Sequence, residues 1–146
     1  VQQGPGGWRV AVRPEYYGLL LFAQAAPPGS RLVPFASGAA PPVRAWATRA
    51  PDGTVRVVLI NDGGRERVAS LALSPVTGAS AKLERLMAPN VTAQEGITLG
   101  GLSFGPWTTT GRLAGTPSPE AIQPSQGRYN LTVPGQSAAL LTLPPR

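Results

Sequence analysis

The sequence contains no histidine, no cysteine, one methionine and one lysine. Without histidine a Ser-His-Asp triad cannot form, and without cysteine the chain has neither a thiol nucleophile nor a disulfide framework. The same two absences exclude metal sites built from imidazole or thiolate ligands, so we expect no metal ion or other cofactor. No apolar run approaches the roughly 20 residues that a membrane-spanning helix needs, and we expect no membrane span.

Acidic residues are scarce as well, with seven in the whole chain. Hydrolysis of a glycosidic bond requires two carboxyl groups that face one cleft. Asp52 and Asp62 fall in predicted turns, and Glu66 lies between two arginines. Lys82 and Glu84 lie two positions apart on a predicted strand, so they share one face and can pair. No candidate catalytic pair emerges, and we predict that this chain carries no catalytic residue and is not itself an enzyme.

The charge balance is basic, with a formal net charge of +6 carried by twelve arginines and one lysine. Such a balance is compatible with nucleic acid or another acidic polymer as a partner. The arginines are scattered along the chain, however, and no nucleic-acid-binding motif accompanies them, so we expect no nucleic-acid partner. Two interpretations stay open, namely a solvated basic surface and the binding of an acidic glycan by arginine and exposed tryptophan.

Glycine and proline account for 35 of the 146 residues, a share that is found in disordered segments and in turn-rich folds. They lie between short runs in which apolar and polar residues alternate, and a period of two predicts strands. We predict an all-β fold, an antiparallel β-sandwich of about eight strands, with Trp46 in the core and a loop at 112–126. The predicted strands are 30–36, 43–48, 54–61, 65–73, 80–88, 97–99, 127–133 and 137–143, with a further candidate at 8–12.

One segment, residues 14–26, has a different pattern. Pro14 suits the first position of a helix and Glu15 suits its first turn, while Pro27 and Pro28 prevent a continuation. This short N-terminal helix is apolar on nearly every side, whereas a surface helix normally has a polar face. Because a small sandwich can cover only one side, we expect a larger partner domain to cover the other. In its absence, we expect the helix either to mediate self-association or to be poorly ordered.

Several segments, taken in order, resemble one known family. Residues 14–24, with the sequence PEYYGLLLFAQ, resemble the last helix of the catalytic barrel of glycoside hydrolase family 79, which includes heparanases and β-glucuronidases. Later segments resemble that family's C-terminal β-domain, and the likeness extends over about residues 7–144. They comprise a strand ending in Asn, a leucine-rich strand followed by proline, a Gly-X-X-Leu-X-Gly stretch and a final hairpin, at 55–61, 83–89, 96–101, 129–134 and 137–143.

The resemblance implies that residues 1–26 are the end of a (β/α)8 catalytic barrel and that residues 27–146 are the C-terminal β-sandwich. The helix is then left over from a barrel that lies outside this chain. Four helix residues are expected to pack against that barrel, namely Tyr16, Tyr17, Leu20 and Leu21. The family's catalytic acid and nucleophile are glutamates of the barrel, and no position of this chain matches them.

A second implication concerns the substrate. In the family, a glycine-aromatic segment just before the last helix helps to hold the carboxylate of a uronic acid, and the aromatic residue is tyrosine. Gly7 and Trp8 occupy that place here, so we expect them to line the substrate in the intact enzyme. Trp8 departs from the family pattern, because an indole donates through its N–H but has no hydroxyl.

The function that the resemblance implies is that of a non-catalytic accessory domain of a retaining glycosidase, which packs against the barrel and supports it. The parent protein is then expected to be a secreted or periplasmic bacterial glycoside hydrolase, similar to a β-glucuronidase or heparanase. Two other classes stay open, a carbohydrate-binding module for an acidic glycan and a cell-surface adhesion sandwich. A row of coplanar exposed aromatic rings favours the binding module, whereas an apolar helix open on one side favours the accessory domain.

Overall fold

The structure, a computed structural model, describes residues 1–39, 41–73 and 79–145. Over these residues the chain forms twelve β-strands and one α-helix, α1 (Pro14–Ala25), and the all-β prediction is confirmed. The strands are β1 (Gln2–Gly4), β2 (Gly7–Arg9), β3 (Arg31–Val33), β4 (Ala36–Ser37), β5 (Val43–Arg49), β6 (Val55–Asn61), β7 (Arg67–Ala72), β8 (Ala81–Met87), β9 (Thr98–Leu99), β10 (Glu120–Ile122), β11 (Tyr129–Val133) and β12 (Ser137–Leu143).

Two antiparallel sheets pack face to face and form the predicted sandwich. The larger sheet has seven strands, in the order β10-β8-β12-β6-β5-β3 with β9 paired to β8, and the smaller sheet has the order β11-β7-β4. Strands β1 and β2 form a separate hairpin. Aliphatic side chains fill the core between the sheets together with Tyr129, whose hydroxyl donates a hydrogen bond to the Ala79 carbonyl oxygen at 2.7 Å.

The larger sheet is covered on both of its faces. Along β6, Val57 and Leu59 are buried in the core between the sheets, while Val58 and Ile60 point to the opposite side. This opposite side, here called the helix side, is covered by α1 and by residues of the segment 97–104. Because both faces are covered, apolar residues in β6 are nearly continuous instead of alternating with polar ones.

The ends of α1 follow from the sequence. Pro14 lies in the first turn, where its missing N–H costs no intrahelical bond, and Glu15 lies where the helix dipole favours an acidic side chain. The helix ends at Ala25, one residue before the predicted end. Ala26 precedes Pro27 and leaves the helical region, with φ −131° and ψ 65°, because the ring of a following proline disfavours helical backbone.

Three segments differ from the prediction. The strand predicted at 30–36 is divided at Pro34, which lacks the N–H that a continuous strand uses, so that β3 pairs with β5 and β4 pairs with β7. The N-terminal segment forms the β1–β2 hairpin, and β10 lies within the predicted loop 112–126, where it pairs with β8. Strands of three residues are too short for alternation to reveal them.

The prediction that Trp46 belongs to the core is wrong. Trp46 lies on β5 opposite Val58, on the helix side of the larger sheet, and it is 46% exposed. Its neighbours Ala45 and Ala47 take the face that points towards the smaller sheet. Residues of β5 do point alternately to the two faces of the sheet. Because both faces are covered, both sides of the strand can be apolar, and the alternation does not indicate which side is buried more deeply.

Candidate docking surface

The side of α1 that points away from the sheet is apolar and open to solvent. Tyr16, Leu19 and Phe22 occupy it and are 46, 63 and 68% exposed. Their spacing of three residues places them along one side of the helix, and we call them the outer face of α1. Soluble domains seldom leave several large apolar side chains together on one helix, so this face has the character of a docking surface.

The opposite side of α1 is fixed by a buried phenol. The Tyr17 hydroxyl oxygen accepts a hydrogen bond from the Phe104 backbone N–H at 2.8 Å and lies 3.1 Å from Ser103 Oγ. The rings of Tyr17 and Phe104 meet edge to face, with centroids 5.3 Å apart, a favourable aromatic geometry. These contacts set the rotation of α1 about its own axis and thereby determine which residues form the outer face.

The resemblance assigns four helix residues to the barrel side, and in the structure they differ in how deeply they are buried. Tyr17 and Leu21 are buried in the chain's own second core, against the helix side of the sheet, and Leu20 is half-buried beside them. Of the four, Tyr16 alone is exposed. A helix that is apolar all round gives no signal for its orientation, and for that reason the sequence also missed Leu19 and Phe22 as outward-facing residues.

A groove of about 880 Å³ opens beside α1 on the helix side of the larger sheet, and we call it the α1 groove. Its lining comes from α1, β3, β5, β6, the start of β12 and the segment 86–97. Four of its residues, Phe22, Leu32, Trp46 and Val91, are large, apolar and exposed. A mainly apolar concavity of this size is typical of a binding site. Since Phe22 belongs to both, the α1 groove and the outer face of α1 are continuous.

Two charged residues line the α1 groove. Asp62 accepts a hydrogen bond from the Arg44 guanidinium, and both side chains of this pair are largely exposed. Arg56 lies on β6 opposite Thr48 of β5, and its Nη1 atom is buried without a hydrogen-bond partner in the described part of the chain. The Ser30 hydroxyl, which also lines the groove, is in the same situation. These two are the only buried side-chain polar atoms without a partner among the described residues.

The groove itself was not foreseen in the sequence. Its walls come from six separate stretches of the chain, and no spacing rule connects them. Leu32 lies within the predicted strand 30–36 and Trp46 within the strand 43–48, and neither pattern indicates a shared groove.

Gly7 and Trp8 lie on the exposed β1–β2 hairpin that precedes α1. Gly7 has a positive φ of 103°, a conformation that favours glycine, and the Trp8 side chain projects into solvent. The next residue, Arg9, places its guanidinium carbon 4.5 Å from the centre of the Trp107 ring and donates a hydrogen bond to Gln2 Oε1 at 2.7 Å. The role of Gly7 and Trp8 in lining a substrate stays a prediction.

Three carboxylates in the described residues, those of Asp62, Glu84 and Glu120, pair with basic side chains. Glu120 on β10 accepts hydrogen bonds from Nε and Nη2 of Arg85, the latter at 3.1 Å, and this interaction lowers the pKa of Glu120. Lys82 Nζ lies 3.0 Å from Glu84 Oε2, as their spacing on one strand face predicts. In these three pairs each carboxylate faces a basic side chain, whereas glycoside hydrolysis uses two carboxyl groups that face one cleft.

Metal ligands and membrane-spanning segments concern the same described ranges, residues 1–39, 41–73 and 79–145. Nowhere in these ranges do three or more acidic, histidine or cysteine residues come together as ligands for a metal ion. The helix in these ranges is also too short to cross a bilayer.

The comparison with family models gives one match. The model described as Glycosyl hydrolase family 79 C-terminal beta domain matches residues 45–140, which is 96 of the 146 residues. The match begins within β5 and ends within β12, so it takes in most of both sheets. No curated protein sequence matches the chain.

Solved structures of glycosidases contain a similar fold. The 4-O-α-L-rhamnosyl-β-D-glucuronidase from Fusarium oxysporum 12S is 21% identical with a TM-score of 0.59, over 73% of this chain and 26% of that one. A GH30 endoxylanase from Clostridium papyrosolvens C71 is 16% identical with a TM-score of 0.60, over 88% of this chain and 27% of that one. The catalytic domain of GH30 xylanase C from Talaromyces cellulolyticus is 16% identical with a TM-score of 0.57, over 86% of this chain and 23% of that one. This chain thus spans about a quarter of the length of each of these structures, and the likeness concerns the fold.

Proposed function

Because the chain belongs to the family of glycosyl hydrolase family 79 C-terminal β-domains, we propose that it is the non-catalytic accessory sandwich of a barrel glycosidase. In this role it packs against a (β/α)8 catalytic barrel through α1 and stabilises it. The parent is a retaining, exported enzyme of the β-glucuronidase or heparanase kind. Residues 1–26 belong structurally to the barrel, and residues 27–146 form the accessory domain.

The observation that carries this proposal is the outer face of α1. Tyr17 holds the helix so that Tyr16, Leu19 and Phe22 project into solvent, although they are of a kind that proteins normally bury. A barrel docked on this face removes the three side chains from water at roughly 25 cal/mol for each Å² of apolar surface. The sandwich and the barrel then stabilise each other through one shared helix.

The size relationship with the similar structures supports the same proposal. The three glycosidases are about four times longer than the part that this chain matches. In those proteins a sandwich of this fold is one part of a much longer polypeptide. The Fusarium oxysporum enzyme is named as a β-D-glucuronidase, which agrees with a uronic acid as the parent's substrate and with Gly7 and Trp8 as substrate-lining residues.

Activity measurements on the chain alone test its non-catalytic character. We expect no hydrolysis of 4-nitrophenyl β-D-glucuronide or of any other aryl glycoside, because the family's two catalytic glutamates belong to the barrel and because Asp62, Glu84 and Glu120 each pair with a basic side chain. Hydrolysis that follows the chain through purification, and that disappears when one of its own Asp or Glu residues is replaced, would refute the proposal.

The coding sequence that precedes the codon for Val1 tests the accessory role. We expect it to encode a (β/α)8 barrel with two glutamates at strand ends, and deletion of 27–146 from that enzyme to lower its melting temperature. A gene without a barrel, or an enzyme equally stable without these residues, would contradict the proposal.

A second candidate is a carbohydrate-binding module for an acidic glycan. It is favoured by the exposed Trp8 beside the stacked pair of Arg9 and Trp107. Against it, the ring contacts in the described residues join Tyr16 and Tyr17 to Phe104, and none joins two tryptophans into a platform. Affinity electrophoresis in gels containing heparin distinguishes the candidates. Retardation that is lost in Arg9→Ala and kept in Arg112→Ala would favour the binding module.

A further inference from the structure

The α1 groove combines an apolar lining with a guanidinium nitrogen that has no hydrogen-bond partner among the described residues. Arg56 Nη1 and Ser30 Oγ are buried in it without hydrogen bonds from the described residues. An unpaired buried polar group is costly, and most native structures satisfy nearly all of them. Both atoms therefore mark a place where a partner with hydrogen-bonding groups fits.

The acidic groups near Arg56 are engaged elsewhere. Asp62, which also lines the groove, is bonded to Arg44. Asp52 accepts a hydrogen bond from the Thr54 backbone N–H at 2.8 Å, and this bond is the largest cause of the lowered pKa of Asp52. A carboxylate brought in from outside the chain is the group that best complements a guanidinium with a buried, unpaired nitrogen.

We propose that the α1 groove receives a segment of the catalytic barrel that carries an aspartate or glutamate among apolar residues. Its carboxylate pairs with Arg56, and its apolar side chains cover Leu32, Trp46 and Val91. This inference rests on the proposed function and adds a second contact region to the outer face of α1. The barrel is the occupant because the groove is continuous with that face through Phe22 and because the similar glycosidases contain much more chain than this sandwich.

The composition of the groove suits the centre of an interface. Tryptophan and arginine are the residues that most often dominate binding energy when they lie in a pocket that is fully desolvated on docking. Trp46 is 46% exposed before docking, so a docked segment can remove a substantial apolar surface from water there. Inside the closed groove a guanidinium–carboxylate pair is shielded from solvent, so the removal of one partner leaves the other charge buried and costs more than it does at the surface.

Oxidation by hydroxyl radicals, read residue by residue by mass spectrometry, tests the docking directly. The chain alone is compared with the intact parent enzyme, and Tyr16 reports on the outer face of α1 while Trp46 reports on the α1 groove. We expect both residues to be oxidised at least about fivefold more slowly in the intact enzyme, because the packed centre of an interface excludes water. Protection of Tyr16 without protection of Trp46 would overturn the groove proposal and leave the proposed function standing. Protection of neither would overturn both.

The variant Arg56→Met tests the carboxylate. In the chain alone we expect its stability to be unchanged or higher, since it removes a buried guanidinium nitrogen that has no partner. In the intact enzyme we expect the melting temperature to fall by at least about 2 °C, because a carboxylate of the barrel is then left unpaired.

Arg49→Met is the matched control, since it removes the same charge from an exposed position on the adjacent strand β5. Equal effects of the two variants on the intact enzyme would show a general charge effect and overturn the pairing. A loss of stability by Arg56→Met in the chain alone, as large as that in the intact enzyme, would assign Arg56 a role inside the sandwich and equally overturn it.

Discussion

Tyr17 and Phe104 lie 87 residues apart in the sequence and are joined by a hydrogen bond from the Phe104 backbone N–H to the Tyr17 phenol oxygen at 2.8 Å. Both residues are buried, and their rings are also in contact. The bond ties α1 to the segment that follows β9, and it is this connection that turns the outer face of α1 towards solvent.

Removal of the Tyr17 hydroxyl should therefore destabilise the chain. Tyr17→Phe leaves the buried Phe104 N–H without its acceptor, and we expect a loss of about 1–3 kcal/mol in the free energy of unfolding. The control is Tyr16→Phe, which removes an exposed hydroxyl one residue away and should change stability by less than about 0.5 kcal/mol. Urea denaturation measures both, and equal losses would show that the hydrogen bond does not hold the helix.

Asn61, the last residue of β6, should be the most sensitive buried polar position. Its side-chain amide donates to the Arg65 and Val133 carbonyl oxygens, both at 2.9 Å, and its oxygen accepts the Gly63 N–H at 3.1 Å. Asn61→Ala leaves the buried Val133 carbonyl and two part-buried backbone groups unpaired, and we expect a loss of about 2–4 kcal/mol. Asn130→Ala, on an exposed position of β11, serves as the control in the same denaturation experiment. A loss below about 1 kcal/mol for Asn61→Ala would mean that water replaces the amide.

The pair of Arg85 and Glu120 should make stability depend on pH in the acidic range. The hydrogen bond from Arg85 lowers the pKa of Glu120 below its ordinary value of 4.5. A carboxyl whose pKa is lowered in the folded state stabilises the fold while it is ionised, so its contribution is complete above about pH 5.5 and is lost as the pH falls through the folded-state pKa. The contribution is at most about 1 kcal/mol, because the Glu120 side chain is 45% exposed.

Urea denaturation of the natural chain and of Glu120→Gln at pH 7 and at pH 3 measures this effect. We expect the variant to be less stable at pH 7 and the difference to narrow at pH 3. The same comparison in an Arg85→Met background is the control and should show no such narrowing. A difference that is independent of pH in the natural background would exclude the ion pair as its cause.

Trp46 and Leu59 should differ in the cost of truncation, although both are large apolar residues of the larger sheet. Leu59 is completely buried between the sheets, and Leu59→Ala should cost about 3–5 kcal/mol. Trp46→Ala should cost only about 1–2 kcal/mol in the chain alone, since nearly half of this residue is already exposed. Denaturant titration of the two variants tests the assignment of Trp46 to the groove. Equal losses in the free energy of unfolding would show that Trp46 is buried in the core.

The sandwich itself could be predicted because its strands obey simple alternation. In β11, Tyr129, Leu131 and Val133 are buried while Asn130 and Thr132 are exposed, as the sequence indicates. Alternation of this kind needs only that one face of a strand be more apolar than the other, and it is independent of which strands become neighbours.

The orientation of α1 and the position of Trp46 could not be predicted for a common reason. Both lie where an element is apolar on more than one side, so the sequence does not specify which side turns inward. In α1 the choice is made by the hydrogen bond to Phe104, a contact between residues far apart in sequence. In β5 the position of α1 decides which side is more deeply buried. The helix covers only part of the helix side of the sheet, and Trp46 lies beside the covered part.

The outer face of α1 should make the isolated chain self-associate. The helix is formed in the structure, which favours association over loss of the helix. Burial of ~400 Å² of apolar surface between two copies contributes about 10 kcal/mol at ~25 cal/mol for each Å². The loss of translational and rotational freedom and the ordering of side chains cost about 4–15 kcal/mol, so we expect a weak dimer with a Kd between about 40 µM and 1 mM.

Sedimentation equilibrium over this concentration range measures the association. The double variant Leu19→Ser and Phe22→Ser should abolish it, since it makes the outer face polar without touching the buried Tyr17 and Leu21. Val68→Ser, which replaces an exposed apolar residue on β7 away from α1, is the matched control and should leave the dimer intact. A chain that stays monomeric at millimolar concentration while α1 remains helical would show that the outer face of α1 is stable when exposed to solvent. That result would remove the physical reason for a missing partner and, with it, the main support for a barrel docked on α1.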